Sequence, residues 1–218
     1  MATRVIDDTK LQNIAAAIQG KDSGGVMTVD EMPTRIAAIP ARDDTVLDSL
    51  ISRNITSIES DVTSVGTGAF KWCSNLTSAI LSEATALGVS AFDGCTHLTN
   101  IEVPKVTTVY ASSFYDNLYL TRIFLQSATA LNGSQIFRDC SRLTAVIMGK
   151  RATLANANTF TGANNAIIYV QPDDLSWYST ETNWSTLYAD NRIKSVSELT
   201  GDNLTWYQQQ LAKYPEEE

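Results

Sequence analysis

Phenylalanine recurs at Phe70, Phe92, Phe114, Phe137 and Phe160, in steps of 22, 22, 23 and 23 residues. No other feature restricts the possible folds of this chain as much. A unit so short cannot bury an apolar face by itself, so successive copies must stack on one another as a solenoid. Other positions fall into register with the rings. Three residues later come Cys73, Cys95, Asn117, Cys140 and Ala163, and six later Leu76, Leu98, Leu120, Leu143 and Ala166. A threonine follows that leucine in four copies, at Thr77, Thr99, Thr121 and Thr144. Val65, Leu87, Val109, Leu131 and Leu154 precede the rings.

Nine and eleven residues after the ring stand Ala79 with Leu81, Ile101 with Val103, Ile123 with Leu125, and Val146 with Met148. This two-residue period is that of a strand with one buried face. Strands of successive turns are expected to pair in parallel, about 4.8 Å apart. Each Phe is expected to fill a bend, with each Cys as a small core hydrophobe. Three cysteines make a poor disulfide framework, and spacings of 22 and 45 fit no zinc motif. The cysteines therefore read as a ladder of the repeat, with no metal and no cofactor implied.

The segments 69–77 and 91–99 both read Ala-Phe-x-x-Cys-x-x-Leu-Thr, which resembles the BspA-like leucine-rich repeats. Repeat three departs from it with Ser113 and Asn117, and repeat five with Thr159, Ala163 and Ala166. The stretch 169–175 and Asn183-Trp184-Ser185 look like the usual C-terminal flank of such proteins. The expected fold is an α+β solenoid: a short right-handed leucine-rich-repeat coil of about five 22–23-residue repeats with parallel strands and helical N- and C-terminal caps. The resemblance implies a binding or structural role, since such proteins occur as bacterial surface adhesins and among phage virion proteins.

The flanks complete the organisation. Residues 1–42 read as an N-terminal hairpin of two short helices. Leu11, Ile14 and Ile18 share a face of the first, Gly20 stops it, and Thr28 with Glu31 has capping-box spacing at the start of the second. This hairpin resembles a small attachment module of phage tail and minor structural proteins. Residues 43–62 should cap the first coil, where Ile55-Thr56-Ser57-Ile58 copies the strand without a preceding Phe. The repeats span 63–172. Residues 173–200 form a C-terminal cap built on Leu175, Trp177, Tyr178, Trp184, Leu187 and Tyr188, and 201–218 a final helix (about 203–214) with an acidic tail. That helix, with Leu204, Tyr207, Leu211 and Tyr214 on one stripe, packs on the body or meets another subunit.

Charge and hydropathy narrow the function. A net charge of -8 and a pI near 4.7 argue against a nucleic-acid partner, whose phosphates call for a basic surface. No apolar run is long enough for a membrane span, and the opening eight residues lack the apolar core of a signal peptide. The expected location is a virion assembled in the host cytoplasm, with the bacterial cell surface as the alternative.

No catalytic constellation appears. His97 is the single histidine, at a variable repeat position where a triad finds no partners. Gly20-Lys21-Asp22-Ser23 lacks the first glycine and the Ser/Thr of a phosphate loop. The pairs Asp7-Asp8, Asp43-Asp44 and Asp173-Asp174 stand at helix starts or cap edges, where acidic residues suit the helix dipole. The reading is non-enzymatic.

Partner contacts are sought at position ten after each ring, which should point outward: Ile80, Glu102, Phe124, Ile147 and Val170. An exposed apolar row marks an interface, here a homo-oligomer or another virion protein, unless the caps or the terminal helix cover it. Arg122 stands in the same strand as Phe124. Tyr115 and Tyr119, with Tyr110 and Trp72, add exposed rings suited to a host-surface protein or glycan. Ile80, Phe124, Ile147, Val170, Arg122, Tyr115 and Tyr119 are thus the candidate binding residues.

Overall fold

The structure, a computed structural model, describes residues 5–6 and 53–215. The expected hairpin over 1–42, the first ten residues of the 43–62 cap, and the pairs Asp7-Asp8 and Asp43-Asp44 lie outside the described residues, apart from the backbone of 5–6.

The apolar alternation folds as short parallel strands at a fixed place in each coil. One column comprises β1 (Val5–Ile6), β2 (Ser57–Ser60), β3 (Ser78–Leu81) and β5 (Asn100–Glu102), then β7 (Arg122–Leu125), β9 (Ala145–Met148), β11 (Ile167–Val170) and β12 (Ile193–Ser195). Its register sets Ile58 beside Ala79, Ala79 beside Ile101, and Ile123 beside Val146. The hydrogen-bonded ladder is interrupted between β5 and β7, so this column is two four-stranded sheets. A second column, β4 (Ala86–Leu87), β6 (Thr108–Tyr110), β8 (Ala130–Asn132) and β10 (Thr153–Leu154), runs unbroken past that seam. It is built on the aliphatic residues that precede each ring: Leu87, Val109, Leu131 and Leu154 are in register.

Between the columns the five phenylalanines form one internal stack. Successive centroids are 5.0, 5.6, 5.4 and 5.3 Å apart, with interplanar angles of 16°, 2°, 1° and 13°. Near-parallel rings at this distance are offset-stacked, which adds about 0.5–1.5 kcal/mol per pair to the burial of the rings. The cysteine ladder is a hydrogen-bonding device as well as packing. Cys95 Sγ donates to the Phe70 carbonyl and Cys140 Sγ to the Phe114 carbonyl, each at 3.0 Å. Asn117 does the same for Phe92 at 2.8 Å. Repeat three thus departs in residue type while keeping the bond, at the cost of a buried Oδ1 with no hydrogen-bond partner among the described residues. Burial pushes the Cys73 thiol up to about 11 and the Cys140 thiol up to about 12.

The threonine after each leucine ties coils together on the outside. Thr77, Thr99 and Thr144 hydroxyls donate to the carbonyls of Thr56, Thr77 and Thr121. The fifth copy has no threonine there, and its strand begins one residue earlier relative to the ring. Ile168, not Tyr169, therefore pairs with Val146, and Tyr169 pairs with Ile147. This corrects the expectation for Val170: it points inward, fully buried in the main core, and Tyr169 takes the outward place.

The C-terminal end is closed by α1 (Leu175–Thr180) and α2 (Trp184–Ala189). Trp184 and Tyr178 are fully buried. The indole N–H donates to the Ala152 carbonyl, and the Tyr178 hydroxyl donates to the Lys150 carbonyl. Trp184 lies 6.3 Å from Phe160, ending the ring stack. Asp174 pairs with Arg151 at 2.6 Å. The last helix, α3, spans Gly201–Lys213, two residues ahead of the expected start.

Candidate functional site

Two surfaces follow from this frame; of the seven candidate binding residues, Phe124, Ile147 and Arg122 belong to the first and Tyr115 and Tyr119 to the second, while Val170 lies in the core. The first is the outward face of the β7–β9–β11 sheet, which α3 covers. Phe124, Ile147, Leu199 and Tyr207 form a buried cluster, with Tyr169, Leu204, Trp206 and Leu211 packed against it. Phe124 and Tyr207 meet edge to face at 5.3 Å and 88°. Arg122 donates to the Asp202 carbonyl at 3.3 Å and lies 5.0 Å from the Trp206 ring centre. The polar residue in the row, Glu102, is explained by the same helix: it bonds Lys213 Nζ and the Tyr214 hydroxyl. The expected apolar stripe is therefore an intramolecular joint over Phe124 and Ile147. Ile80, beyond the helix, remains half-buried.

The second surface is the turn edge just after the rings, and it is built by repetition. The residue two after each ring, Trp72, Gly94, Asp116, Asp139 or Gly162, has φ between 57° and 80°. The bend requires this left-handed conformation, which glycine adopts freely and a tryptophan does not. Trp72 nevertheless stands there, 55% exposed. Its indole occupies the space over Gly94, where a Cβ would meet Cδ1 at 2.4 Å. Arg53 and Lys71 lie 5.0 and 4.9 Å from its ring. Lys71 also pairs with the nearly buried Asp93 at 2.7 Å.

Five residues after the rings, successive coils align His97, Tyr119 and Arg142. The His97 ring stacks on Tyr119 at 5.2 Å, and the Arg142 guanidinium lies 4.1 Å from the other ring centre of the pair, that of Tyr119. His97 Nδ1 sits 2.8 Å from the Ser74 carbonyl, which only accepts, so Nδ1 carries the proton. Asn75 donates to Asn54 in the same column at 3.2 Å. Arg138 covers Tyr115 at 5.8 Å. Burial first, then the charges of Asp139 and Asp93, raise the Asp116 carboxyl above its ordinary value. The edge is thus a row of exposed or half-exposed rings, with a cation against Trp72, Tyr115 and Tyr119.

The sequence singled out Tyr115, Tyr119 and Trp72, and missed that Arg142, Arg138 and Lys71 join them. The signal lay in reading the repeat columns one, two and five residues after the ring, as the core columns were read. Among the described residues, no cluster of three or more His, Cys, Asp or Glu side chains could hold a metal ion. Nor is any described helix long and apolar enough to cross a membrane.

Comparison with known proteins agrees with the architecture. The family profile of the BspA type leucine rich repeat region matches residues 63–175, in six copies. That is one copy more than the five ring-bearing turns. Among solved structures, a leucine rich repeat protein of T. pallidum is similar at 24% identity and a TM-score of 0.48, covering 53% of this chain and 58% of that one. The pneumococcal vaccine antigen PcpA is similar at 15% identity and a TM-score of 0.44, over 64% of this chain and 39% of that one. No curated protein matches.

Proposed function

Because the chain belongs to the BspA-type leucine-rich repeat family, we propose that it is a non-enzymatic recognition protein whose contact surface is the aromatic and cationic turn edge. The observation that carries this is Trp72. A left-handed backbone costs a residue with a Cβ roughly 1–2 kcal/mol, and glycine at Gly94 and Gly162 serves the same bend without that cost. A large exposed ring kept at such a place serves contact rather than folding. Trp, Tyr and Arg are the residues that dominate binding energy at protein interfaces. Trp72, Tyr119 and Arg142 therefore favour a protein partner, and stacked rings also suit a host-surface glycan.

In its finer form the proposal is a phage virion component, associated with tail, baseplate or fibre. The resemblance of residues 1–42 to an attachment module supports it. The partner is then another virion protein, a second copy, or the host surface. The family's surface adhesins supply the second reading, a bacterial cell-surface protein.

The test is a photo-crosslinking amino acid in place of Tyr119 on the edge or of exposed Tyr188 on the C-terminal cap, followed in producing cells. The Tyr119 label should capture a defined partner that the Tyr188 label does not, and Trp72→Gly should abolish capture while unfolding stability is kept. Equal capture at both positions, or capture indifferent to Trp72→Gly, would refute the edge as the contact surface. Co-purification of the captured species with phage particles or with cell envelopes separates virion from adhesin.

A further inference from the structure

Three residues after successive rings, Cys73 and Cys95 hold the same place in neighbouring coils, and both are buried free thiols. The two coils are hydrogen-bonded at that point, where the Trp72 N–H donates to the Asp93 carbonyl at 2.6 Å. Their rings, Phe70 and Phe92, are 5.0 Å apart, the closest pair in the stack. Parallel chains paired in this way run about 4.8 Å apart. A disulfide spans Cα atoms about 4.4–6.8 Å apart, so the coil spacing suits one. The thiols are close enough to interact: burial first, then the neighbouring Cys73, push the Cys95 thiol up.

The third cysteine has no such neighbour. Asn117 stands before Cys140 in the ladder and Ala163 after it, so a single pairing of the three joins adjacent coils. That pairing leaves no buried acceptor orphaned. It gives up the bond from Cys95 Sγ to the Phe70 carbonyl, but the same carbonyl still accepts the Cys73 N–H at 3.1 Å.

We propose that Cys73 and Cys95 are a disulfide-forming site, which ties the first ring-bearing coil to the second when the chain folds in the presence of a small oxidised thiol compound. One cysteine, as thiolate, attacks the disulfide of the oxidant and releases half of it as a thiolate. The other cysteine then attacks the mixed disulfide and releases the second half. The two cysteines give up two electrons and two protons, and the oxidant takes up both as two free thiols. In the folded chain both sulfurs are buried, so the exchange takes place as the coils come together. The tie is present where the chain folds outside a reducing cytoplasm and absent where it folds inside one. It does not depend on the recognition role argued above.

The test refolds the reduced full chain from urea into oxidised glutathione, blocks remaining thiols, and maps the linked peptides by mass spectrometry. A reference sample is oxidised in urea, where loop length alone chooses the partner. There the 22-residue spacing of Cys73 and Cys95 is favoured over the 45-residue spacing of Cys95 and Cys140 by only about threefold. Refolding should raise that preference well above the reference, leaving Cys73–Cys95 as the one dominant linkage and Cys140 as a free thiol. Cys140→Ser should keep the linkage, and Cys73→Ser should not shift it to Cys95–Cys140. Three free thiols, glutathione left on Cys73 and Cys95, a dominant linkage to Cys140, or the same mixture as in urea would overturn the assignment.

Discussion

Replacing Phe114 with alanine tests the internal stack at its most loaded point. Phe114 is fully buried, with Phe92 at 5.6 Å on one side and Phe137 at 5.4 Å on the other. Phe→Ala in a core costs about 3–5 kcal/mol. Two ring stacks at about 0.5–1.5 kcal/mol each place this position at the top of that range, at about 4–5 kcal/mol. A domain of this size has about 5–15 kcal/mol in all, and the melting temperature should fall by roughly 10–20 °C. The location adds a second signature. The strand ladder is interrupted between β5 and β7, so the coils on either side of the seam are coupled by the ring stack, the second strand column and α3. Coupling between neighbouring repeats is what makes a solenoid unfold as one unit. Phe114→Ala should therefore broaden the urea transition, lowering its apparent m-value, or split it in two. Phe70→Ala, which removes one stacking partner at 5.0 Å, should cost less and leave the transition single. Urea denaturation followed by far-ultraviolet circular dichroism reads both effects. A Phe114→Ala cost below about 1 kcal/mol, the scale of a surface change such as Tyr110→Ala, would refute the ring stack as the organising core.

Two further predictions concern the cysteines and the last helix. Burial lifts the Cys73 thiol from 9.0 to about 11 and the Cys140 thiol from 9.0 to about 12. The folded thiols thus hold their protons above the pH at which the unfolded ones lose them, so this contribution is complete below pH 9 and is lost as pH rises from there toward the folded values. The three thiols should resist a disulfide reagent at pH 7.5 until denaturant is added, and urea midpoints should fall above pH 9; ready labelling of the native chain would contradict their burial. Phe124→Asp should undock α3, expose the apolar row and raise dye binding and proteolysis near residue 200, at a cost of about 3–5 kcal/mol. A variant with α3 still protected from protease would show that the helix does not depend on this row.

The core was legible in the sequence because every core position repeats. Five phenylalanines, the Cys–Leu–Thr offsets and the strand alternation all obey one period, and a stacking fold admits few other arrangements. Val170 was misread because counting from Phe160 assumes a constant distance from ring to strand. The missing threonine of the fifth copy shortens that distance by one residue, which turns the side chains to the opposite face. The cover over Phe124 and Ile147 was not decidable from sequence, since an apolar row and an amphipathic helix suit each other or two other partners equally well. The turn-edge cations were missed for a different reason. Lys71, Arg138 and Arg142 look like ordinary solvated charges until the coil spacing sets each against a ring of its own or a neighbouring copy. The second threonine ladder was there to be found: Thr85, Thr107, Thr129 and Thr153 bond the coil before them, at Thr63, Thr85, Thr107 and Thr129.

The arrangement in which α3 roofs strands laid down much earlier in the chain has a bearing on biosynthesis. Translation proceeds at roughly 5–20 residues per second, so the greasy patch around Phe124 and Ile147 emerges and stays bare for several seconds before its own lid has been made. During that interval a nascent chain on one ribosome can stick to its neighbour on the same message, or be held by a chaperone. Yield in a cell should therefore depend on how fast the stretch between Val170 and Lys213 is translated, and slow codons placed there should divert product into aggregates without altering a single residue.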